Sequence, residues 1–290
     1  MNFVPKMIIR IIALFICSSI PLFAAVVFDL NDVVLDGNSG ENTYITKNGA
    51  GSLVYDGGGT PSLTYTLTTS GSYSYFSSYF DSQTLSTVGE GIEISYSFTP
   101  NSTSTFKTQV NAFRVGFYNS NGSPVSDDSN ENYQVEFNND TGYMALYSPN
   151  ATPSGDYFYQ RTGTNNILWS SSSRTAVSGS PLLDSPGTGL SVTGLLRVEL
   201  ISSTSIRLTS QINGNSSQSV VHSVVDSDDL DTSFDMLSFF AMPNGNGQSL
   251  TFDEMTVTTI PEPSSIVLMM GAAGLFLISG VRLRRSMRRR

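Results

Sequence analysis

The chain has 290 residues and a formal net charge of −9, but six of its fifteen basic residues lie in the last nine positions. The stretch from Ala25 to Ile260 holds 23 acidic and 7 basic residues, a net charge of −16, which argues against binding of nucleic acid or anionic lipid by this region. The one cysteine, Cys17, lies near the amino terminus, so the rest of the chain is predicted to have no disulfide, cysteine nucleophile or thiolate metal site.

Residues 1–24 are predicted to be a secretory signal peptide that signal peptidase removes after Ala24 during export. Lys6 and Arg10 supply the positive region, and Ile11 to Cys17 form an apolar stretch that is too short to span a bilayer. A retained membrane helix is the alternative. Lipid attachment at Cys17 is not expected, because Ile16 before it is not small.

Residues 25–259 are predicted to form one exported all-β domain, because short alternating apolar runs are bounded by Gly, Asn, Asp, Ser and Pro. Apolar residues occupy every second position from Ile92 to Phe98 and from Leu196 to Leu200, and again in Phe252 to Val257 with one irregularity at the acidic pair. The stretch Ala151 to Gly194 is predicted to be a long loop carrying Trp169, with a domain boundary as the alternative. The predicted strands, in chain order, are Val26 to Phe28, Ser62 to Thr68, Tyr73 to Phe80, Gly91 to Phe98, Phe113 to Tyr118, Tyr133 to Asn138, Tyr143 to Tyr147, Leu195 to Ser202, Ser205 to Ile212, Ser219 to Val225, Met236 to Ala241 and Ser249 to Thr258.

Turn sequences at Asn119 to Gly122, Asn139 to Gly142 and Ile212 to Asn215 fit hairpins between these strands. Many short strands without crossover helices predict two packed antiparallel sheets, a jelly-roll sandwich. From Gly91 to Thr258 the order of the runs FRVGFYNSNG, YQVEFNNDTGYMALY, LLRVELISSTSIRLTSQINGN and SLTFDEMTV resembles the concanavalin A-like or laminin G-like sandwich superfamily. This resemblance implies a lectin-like fold.

Residues suited to catalysis are sparse. His222 is the only histidine and lies in a strand-like run without a GxSxG or HExxH motif, so an ordinary strand residue is expected there. A glycan hydrolase needs two carboxylates that face each other, and Glu136 with Asp253 or Glu254 are the nearest candidates. None of these runs has the clustered ExDxxE pattern, so no catalytic residue is predicted.

Two acidic loops, Asp127 to Glu131 and Asp226 to Asp231, hold enough carboxylates for Ca²⁺, although neither has the EF-hand order of ligands. We therefore expect solvated loops here, with Ca²⁺ binding as the alternative, and no other cofactor. The aromatic run Tyr73, Tyr75, Phe76, Tyr79 and Phe80 predicts either an exposed surface on which sugar rings stack or a part of the core.

Ile266 to Val281 carry no charge, and sixteen residues at about 1.5 Å each span roughly 24 Å, which predicts a short transmembrane helix over 266–281. The tail 282–290 is predicted to hold the chain on the cytoplasmic side through its arginines, Arg282, Arg284, Arg285, Arg288, Arg289 and Arg290. Pro261, Glu262 and Pro263 directly precede the helix, and the two prolines keep this segment extended.

This order of tripeptide, short apolar helix and terminal arginines, over residues 260–290, resembles the PEP-CTERM sorting signal of Gram-negative bacteria that produce exopolysaccharide. The resemblance implies an exosortase as partner, which processes the chain near Pro261-Glu262-Pro263. The protein would be anchored in the inner membrane before sorting and would then reach the cell envelope, cell surface or extracellular matrix.

These features together predict a non-enzymatic envelope or matrix protein associated with exopolysaccharide. A carbohydrate-binding lectin-like module, with or without Ca²⁺, is the alternative, and a glycan hydrolase is the third hypothesis.

Overall fold

A computed structural model describes residues 24–35, 40–47, 51–66, 74–101, 113–129, 133–147, 158–161, 165–177, 191–213, 219–242 and 248–262. Ala25–Ile260 form one compact unit. The predicted signal peptide apart from Ala24, together with Pro263, the predicted helix 266–281 and the arginines of 282–290, lies outside the described residues. Within the described ranges there is no helix of the length and apolarity needed to cross a membrane.

The described part of the chain is built almost entirely of strands, in keeping with its alternating pattern. The strands are β1 (Val26–Asp29), β2 (Thr43–Lys47), β3 (Ser52–Asp56), β4 (Ser62–Thr66), β5 (Ser74–Thr84), β6 (Gly91–Pro100), β7 (Phe113–Asn119), β8 (Thr141–Tyr147), β9 (Phe158–Arg161), β10 (Arg174–Val177), β11 (Val192–Ser202), β12 (Ser205–Asn213), β13 (Ser219–Asp226), β14 (Ser233–Ala241) and β15 (Ser249–Ile260). Three 3-10 turns, Leu30–Asp32, Val135–Asn139 and Ser171–Ser173, complete the described elements.

The strands form two sheets. The eight-stranded sheet has the order β13-β12-β11-β6-β15-β4-β3, with β1 paired to β15 beside this path, and the seven-stranded sheet has the order β10-β9-β8-β7-β14-β5-β2. All strand pairs recorded between these elements are antiparallel. The predicted all-β, two-sheet antiparallel sandwich is therefore confirmed.

The main core lies between the sheets, where the period of two directs alternate side chains inward. Ile92, Ile94, Tyr96 and Phe98 of β6 are all buried in it. In β15 the register shifts between Phe252 and Glu254, so the irregularity expected at the acidic pair is a β-bulge. The bulge keeps the apolar residues on both sides of it in the core while the acidic pair stays exposed.

A second apolar layer covers the outer face of the seven-stranded sheet. Three segments, residues 120–129, 133–140 and 165–173, lie over this face, and we call them the cover segments. They contribute Val125, Phe137, Leu168 and Trp169 to a buried cluster with outward-facing strand residues. The strand residues of this cluster include Tyr44, Tyr75, Tyr118, Met144, Leu146, Met236 and Phe240. Both faces of the seven-stranded sheet are consequently buried.

Two sequence expectations were wrong. The predicted strand Tyr133 to Asn138 is instead a 3-10 turn, Val135–Asn139. Its alternation suits a strand, but β8 beside it already pairs with β7 and β9, so no free edge is available there. The predicted long loop Ala151 to Gly194 contains β9 and β10. Each strand has four residues, which is too few for an alternating pattern to be recognised in the sequence.

The structure also contains β2 and β3, which the sequence analysis did not predict. Both are short, and each lies at the edge of its sheet with one neighbouring strand. On the other side of β2, the Ser129 N–H donates to Ile45 O at 3.0 Å.

Candidate functional site

The cover segments are fixed from below by one buried guanidinium. Arg161, the last residue of β9, is 1% exposed. Its Nε donates to the carbonyl oxygen of Asp140 at 3.1 Å, and its Nη2 donates to that of Phe137 at 2.6 Å and to that of Asn165. Its Nη1 donates to Ile167 O at 3.0 Å, to Leu168 O at 2.7 Å and to Ser173 Oγ at 2.8 Å.

Because a guanidinium has five N–H donors in a fixed plane, these bonds impose one mutual geometry on two cover segments. Arg161 pairs with Gly142 of β8, which lies where β7 and β8 approach each other closely. Gly142 has φ +147°, and a Cβ there would lie 2.1 Å from Phe117 O. Only glycine allows β7 and β8 to pack at this point.

A second buried arginine supports the same layer. Arg114 of β7 is 6% exposed, and its Nη1 donates to the carbonyl oxygen of Trp169 at 2.9 Å. Its guanidinium also lies 4.4 Å from the ring centre of Phe240, a cation–π contact. The Trp169 ring meets Tyr118 edge to face, with ring centres 5.7 Å apart.

Asp140 is the buried acid of this site. It is 0% exposed, and neither carboxylate oxygen has a hydrogen-bond partner within the described part of the chain. Burial raises the pKa of Asp140 to about 8, and the nearby Asp235 and Glu136 act in the same direction, whereas Arg161 opposes them. The Asp140 carboxyl is therefore mostly protonated at neutral pH.

Hydrogen bonds between the cover segments join them into one layer. Gln134 N–H donates to Asn166 O at 2.8 Å, and Gln134 Nε2 donates to Asp127 O at 2.8 Å. Asn121 Nδ2 donates to Asn139 O at 2.6 Å. Each of the three segments is thus bonded to another one as well as to the sheet beneath.

The outer surface of this layer carries amide groups and one aromatic ring. Val135 is 69% exposed and Tyr133 is 39% exposed, which makes them two of the few large apolar side chains that the described residues leave open. Asn138 and Asn139 are also exposed, and Asn166 is half-buried.

The aromatic run predicted as a sugar platform or as core is core wherever it is described. Tyr75 and Phe76 are fully buried and belong to the outer layer and the main core, respectively. Tyr79 and Phe80 are half-buried, and Tyr73 lies outside the described residues. A run with apolar residues on both strand faces fits β5, because both faces of its sheet are covered.

The two acidic loops lie at different places along the seven-stranded sheet. Asp128 Oδ1 accepts from the backbone N–H of Ile45 in β2, at one edge of this sheet, over 2.8 Å. In the other loop, Asp231 Oδ2 accepts from Gln160 Nε2 of β9 at 3.2 Å. Among the described residues no group of three or more His, Cys, Asp or Glu side chains is arranged to hold a metal ion.

The carboxylates considered for glycan hydrolysis do not come together. Asp253 and Glu254 are exposed on the outer face of the eight-stranded sheet, where Ser97 and Ser95 donate to them. Glu136 lies in the cover over the other sheet. The whole sandwich therefore separates Glu136 from Glu254, and packed sheets alone are about 10 Å apart.

His222 lies in β13, where its backbone pairs with Ser210, and its side chain is not described. Of the predicted sorting motif, Pro261 is half-buried and Glu262 exposed directly after β15. The role of this motif and of the arginine tail stays a prediction.

Arg161, Arg114 and Asp140 were missed as site residues. One signal was available, because only 7 basic residues fall between Ala25 and Ile260, and Arg114 and Arg161 lie within the aromatic runs FRVGFY and YFYQR. A rare cation within an apolar strand indicates a buried charge with a dedicated set of acceptors.

Comparisons with solved structures return lectins of low sequence identity. Peanut lectin with a nine-residue peptide has a TM-score of 0.43 and 12% identity, covering 82% of this chain and 97% of the lectin. The metal-free carbohydrate recognition domain of Emp46p has a TM-score of 0.47 and 13% identity, covering 79% and 95%. Lectin I from Ulex europaeus, in complex with the methyl glycoside of alpha-L-fucose, has a TM-score of 0.45 and 14% identity, covering 82% and 98%. No family model and no curated protein matches the chain.

Proposed function

We propose that this chain is an exported, non-enzymatic glycan-binding protein that binds its ligand on the outer surface of the cover segments. We call the five residues of this surface, Tyr133, Val135, Asn138, Asn139 and Asn166, the recognition face. The observation that carries this proposal is the fixed geometry of the cover. Loops that Arg161 and Arg114 clamp from below present amides and a tyrosine ring on a rigid sandwich. A surface that is ordered before binding loses less conformational entropy when a ligand is bound.

The chemistry of the recognition face suits sugars. Amide groups of Asn138, Asn139 and Asn166 can donate to and accept from sugar hydroxyls. The Tyr133 ring offers a flat apolar surface to the C–H face of a pyranose, and its hydroxyl remains at the polar edge. The charge of −16 over Ala25 to Ile260 disfavours anionic polymers, so the expected ligands are neutral or amino sugars.

Binding is tested by titrating the purified full-length protein, solubilised in detergent, with neutral and anionic polysaccharides, followed by calorimetry. Tyr133→Ala should weaken binding by roughly 5- to 150-fold, since stacking and hot-spot contacts contribute about 1–3 kcal/mol. Val54→Ala is the matched control, because Val54 is 57% exposed on β3 of the other sheet. Equal affinity of the wild-type protein and the Tyr133 variant would refute the recognition face.

We further propose that the carboxyl-terminal segment sorts the domain to the cell envelope, as the order of motif, apolar stretch and arginines suggests. Deleting residues 261–290 should change the fraction in which the protein is found. Unchanged distribution between the inner membrane, envelope and medium would refute sorting by this segment. A protein that is sorted but binds no glycan would be an envelope protein without the lectin-like activity.

A further inference from the structure

The first and last strands of the sandwich are paired. Val26 is opposite Thr258, Phe28 opposite Val257 and Asp29 opposite Thr256, with a register shift between Val26 and Phe28. We call this pairing, residues 25–29 with 256–259, the terminal clasp.

Ala25 extends the clasp to the end of β15. The Thr259 N–H donates to Ala25 O at 2.9 Å, and the Ala25 N–H donates to Thr259 Oγ1 at 3.3 Å. The point at which the chain enters the compact unit and the point at which it leaves are thus within hydrogen-bond distance of each other.

β15 leaves no spacer between the folded sheet and the predicted sorting motif. Ile260 still pairs with Gly91 of β6, and Pro261 is the next residue. An enzyme that processes the chain near Pro261 would need several residues before that position in an extended, accessible form. Peptide-binding clefts commonly take such a segment as an added strand through its backbone hydrogen bonds.

One edge of this segment is occupied by β6 and the other by β1. Thr258 lies between Glu93 and Val26, so neither backbone edge is open to a cleft. β6 pairs with β15 along its length, from Leu250 to Ile260, whereas β1 has only four residues. β1 is therefore the partner that can be released without dismantling the sheet.

Side-chain packing holds β1 in place. Phe28 is 1% exposed, and its ring centre lies 6.4 Å from that of Phe80. Val26, two residues earlier, is 57% exposed and contributes little. At the end of β1, Asp29 forms a reciprocal capping box with Asp32, which fixes the 3-10 turn that follows. Separation of β1 from β15 is therefore limited to the short strand itself.

We propose that the terminal clasp controls processing at the sorting motif: β1 must leave β15 before a membrane peptidase or transpeptidase can bind residues 258–260 as an extended strand. This inference depends on the proposed sorting of the carboxyl-terminal segment. Local release of a short strand is a common form of sub-global opening, and its frequency sets the rate at which enzymes attack the exposed chain.

A reversible disulfide tests the proposal. The Thr259-to-Ala25 hydrogen bond lies beside the facing residues Val26 and Thr258, which is the pattern of a non-hydrogen-bonded pair on the Ala25 side of the register shift. In a regular antiparallel ladder the Cα atoms of such a pair are about 4.5 Å apart. This spacing lies within the range that a disulfide spans. The double variant Val26→Cys with Thr258→Cys should therefore lock the clasp when oxidised, and each single variant serves as a control.

The full-length chain is incubated with membranes that contain an exosortase, and loss of the carboxyl-terminal segment is followed by mass. The oxidised double variant should be processed at least tenfold more slowly than the wild-type protein, and reduction should restore the rate. Phe28→Ala should raise the rate by about tenfold or more, because it removes the main anchor of β1. Val26→Ala should leave the rate unchanged.

Processing of the oxidised variant at the wild-type rate would overturn the proposal while leaving sorting intact. If the wild-type chain itself is not processed, both sorting by cleavage and the role of the clasp are refuted. The disulfide adds a bond to a folded protein, so the comparison of the oxidised and reduced double variant tests the proposal even if Phe28→Ala does not fold.

Discussion

Replacing Asp140 by asparagine should make the protein more stable at alkaline pH and remove part of its pH dependence. Asp140 is fully buried beside Arg161, Asp235 and Glu136, and burial raises its pKa from the ordinary 3.8 to about 8. The folded state therefore holds a proton that the unfolded state releases near pH 4. The contribution of this carboxyl to the free energy of unfolding is therefore fully present below about pH 4. It decreases as the pH rises from about 4 to 8 and is lost above the folded-state pKa.

The size of this stability difference follows from the shift in the pKa of Asp140. One pKa unit corresponds to 1.36 kcal/mol, so the difference between wild type and Asp140→Asn should grow by roughly 4 kcal/mol from pH 5 to pH 8. Asparagine keeps the shape of the side chain and carries no charge at either pH. This difference in the free energy of unfolding is an upper value, because the cover segments can relax around the ionised carboxylate and so reduce its cost.

Urea unfolding followed by tryptophan fluorescence measures this difference, because Trp169 is the only tryptophan and lies in the cover. The profiles of the wild-type protein and Asp140→Asn should diverge steadily above pH 5. Asp81→Asn, at an exposed position of β5, is the matched control and should follow the wild-type profile. Parallel profiles for wild type and Asp140→Asn would refute the assignment of a buried, protonated carboxyl.

Two further substitutions test the packing. Arg161→Lys keeps the charge but cannot reach the six acceptors of the guanidinium, so it should cost about 3 kcal/mol and speed hydrogen exchange in the cover segments; unchanged exchange there would contradict the clamp. Gly194→Ala should cost about 1–3 kcal/mol in thermal or urea unfolding, because its Cβ would lie 2.4 Å from the Tyr96 ring inside the core. Gly59→Ala, which has no atom within 4 Å of the new Cβ, is its control, and equal stability of the two variants would show that Tyr96 can move aside.

Strands with a strict period of two were the most predictable elements. β6 and β11 were expected from alternation alone. The sequence analysis noted a break in the apolar period at Asp253 and Glu254, and β15 has its bulge at this point. Positive φ angles at Asn121 (51°) and Gly122 (78°) agree with the predicted turn after β7. In these segments the local backbone preference and the burial of one face both favour a strand, so the strand can be predicted from the sequence.

Prediction was poorer where a segment packs against the outside of a sheet. The alternation around Phe137 resembles that of a strand, but this residue is buried because the turn carrying it lies over the seven-stranded sheet. The amphipathic period alone does not distinguish a strand in a sheet from a turn placed on one. The same holds for the loop around Trp169, whose serine-rich surroundings indicate exposure although Trp169 is 3% exposed.

The all-β class and the strong negative charge of the central region could be predicted from the amino-acid sequence alone. These properties follow from composition and from a periodicity that each strand carries independently of the others. Three features became visible only in the folded chain: Arg161 binds carbonyl groups from separate loops, Asp140 is shielded from water, and Ala25 is hydrogen-bonded to Thr259. Each of these depends on residues brought together from distant parts of the chain, and a buried charge or a terminal pairing leaves no period in the sequence.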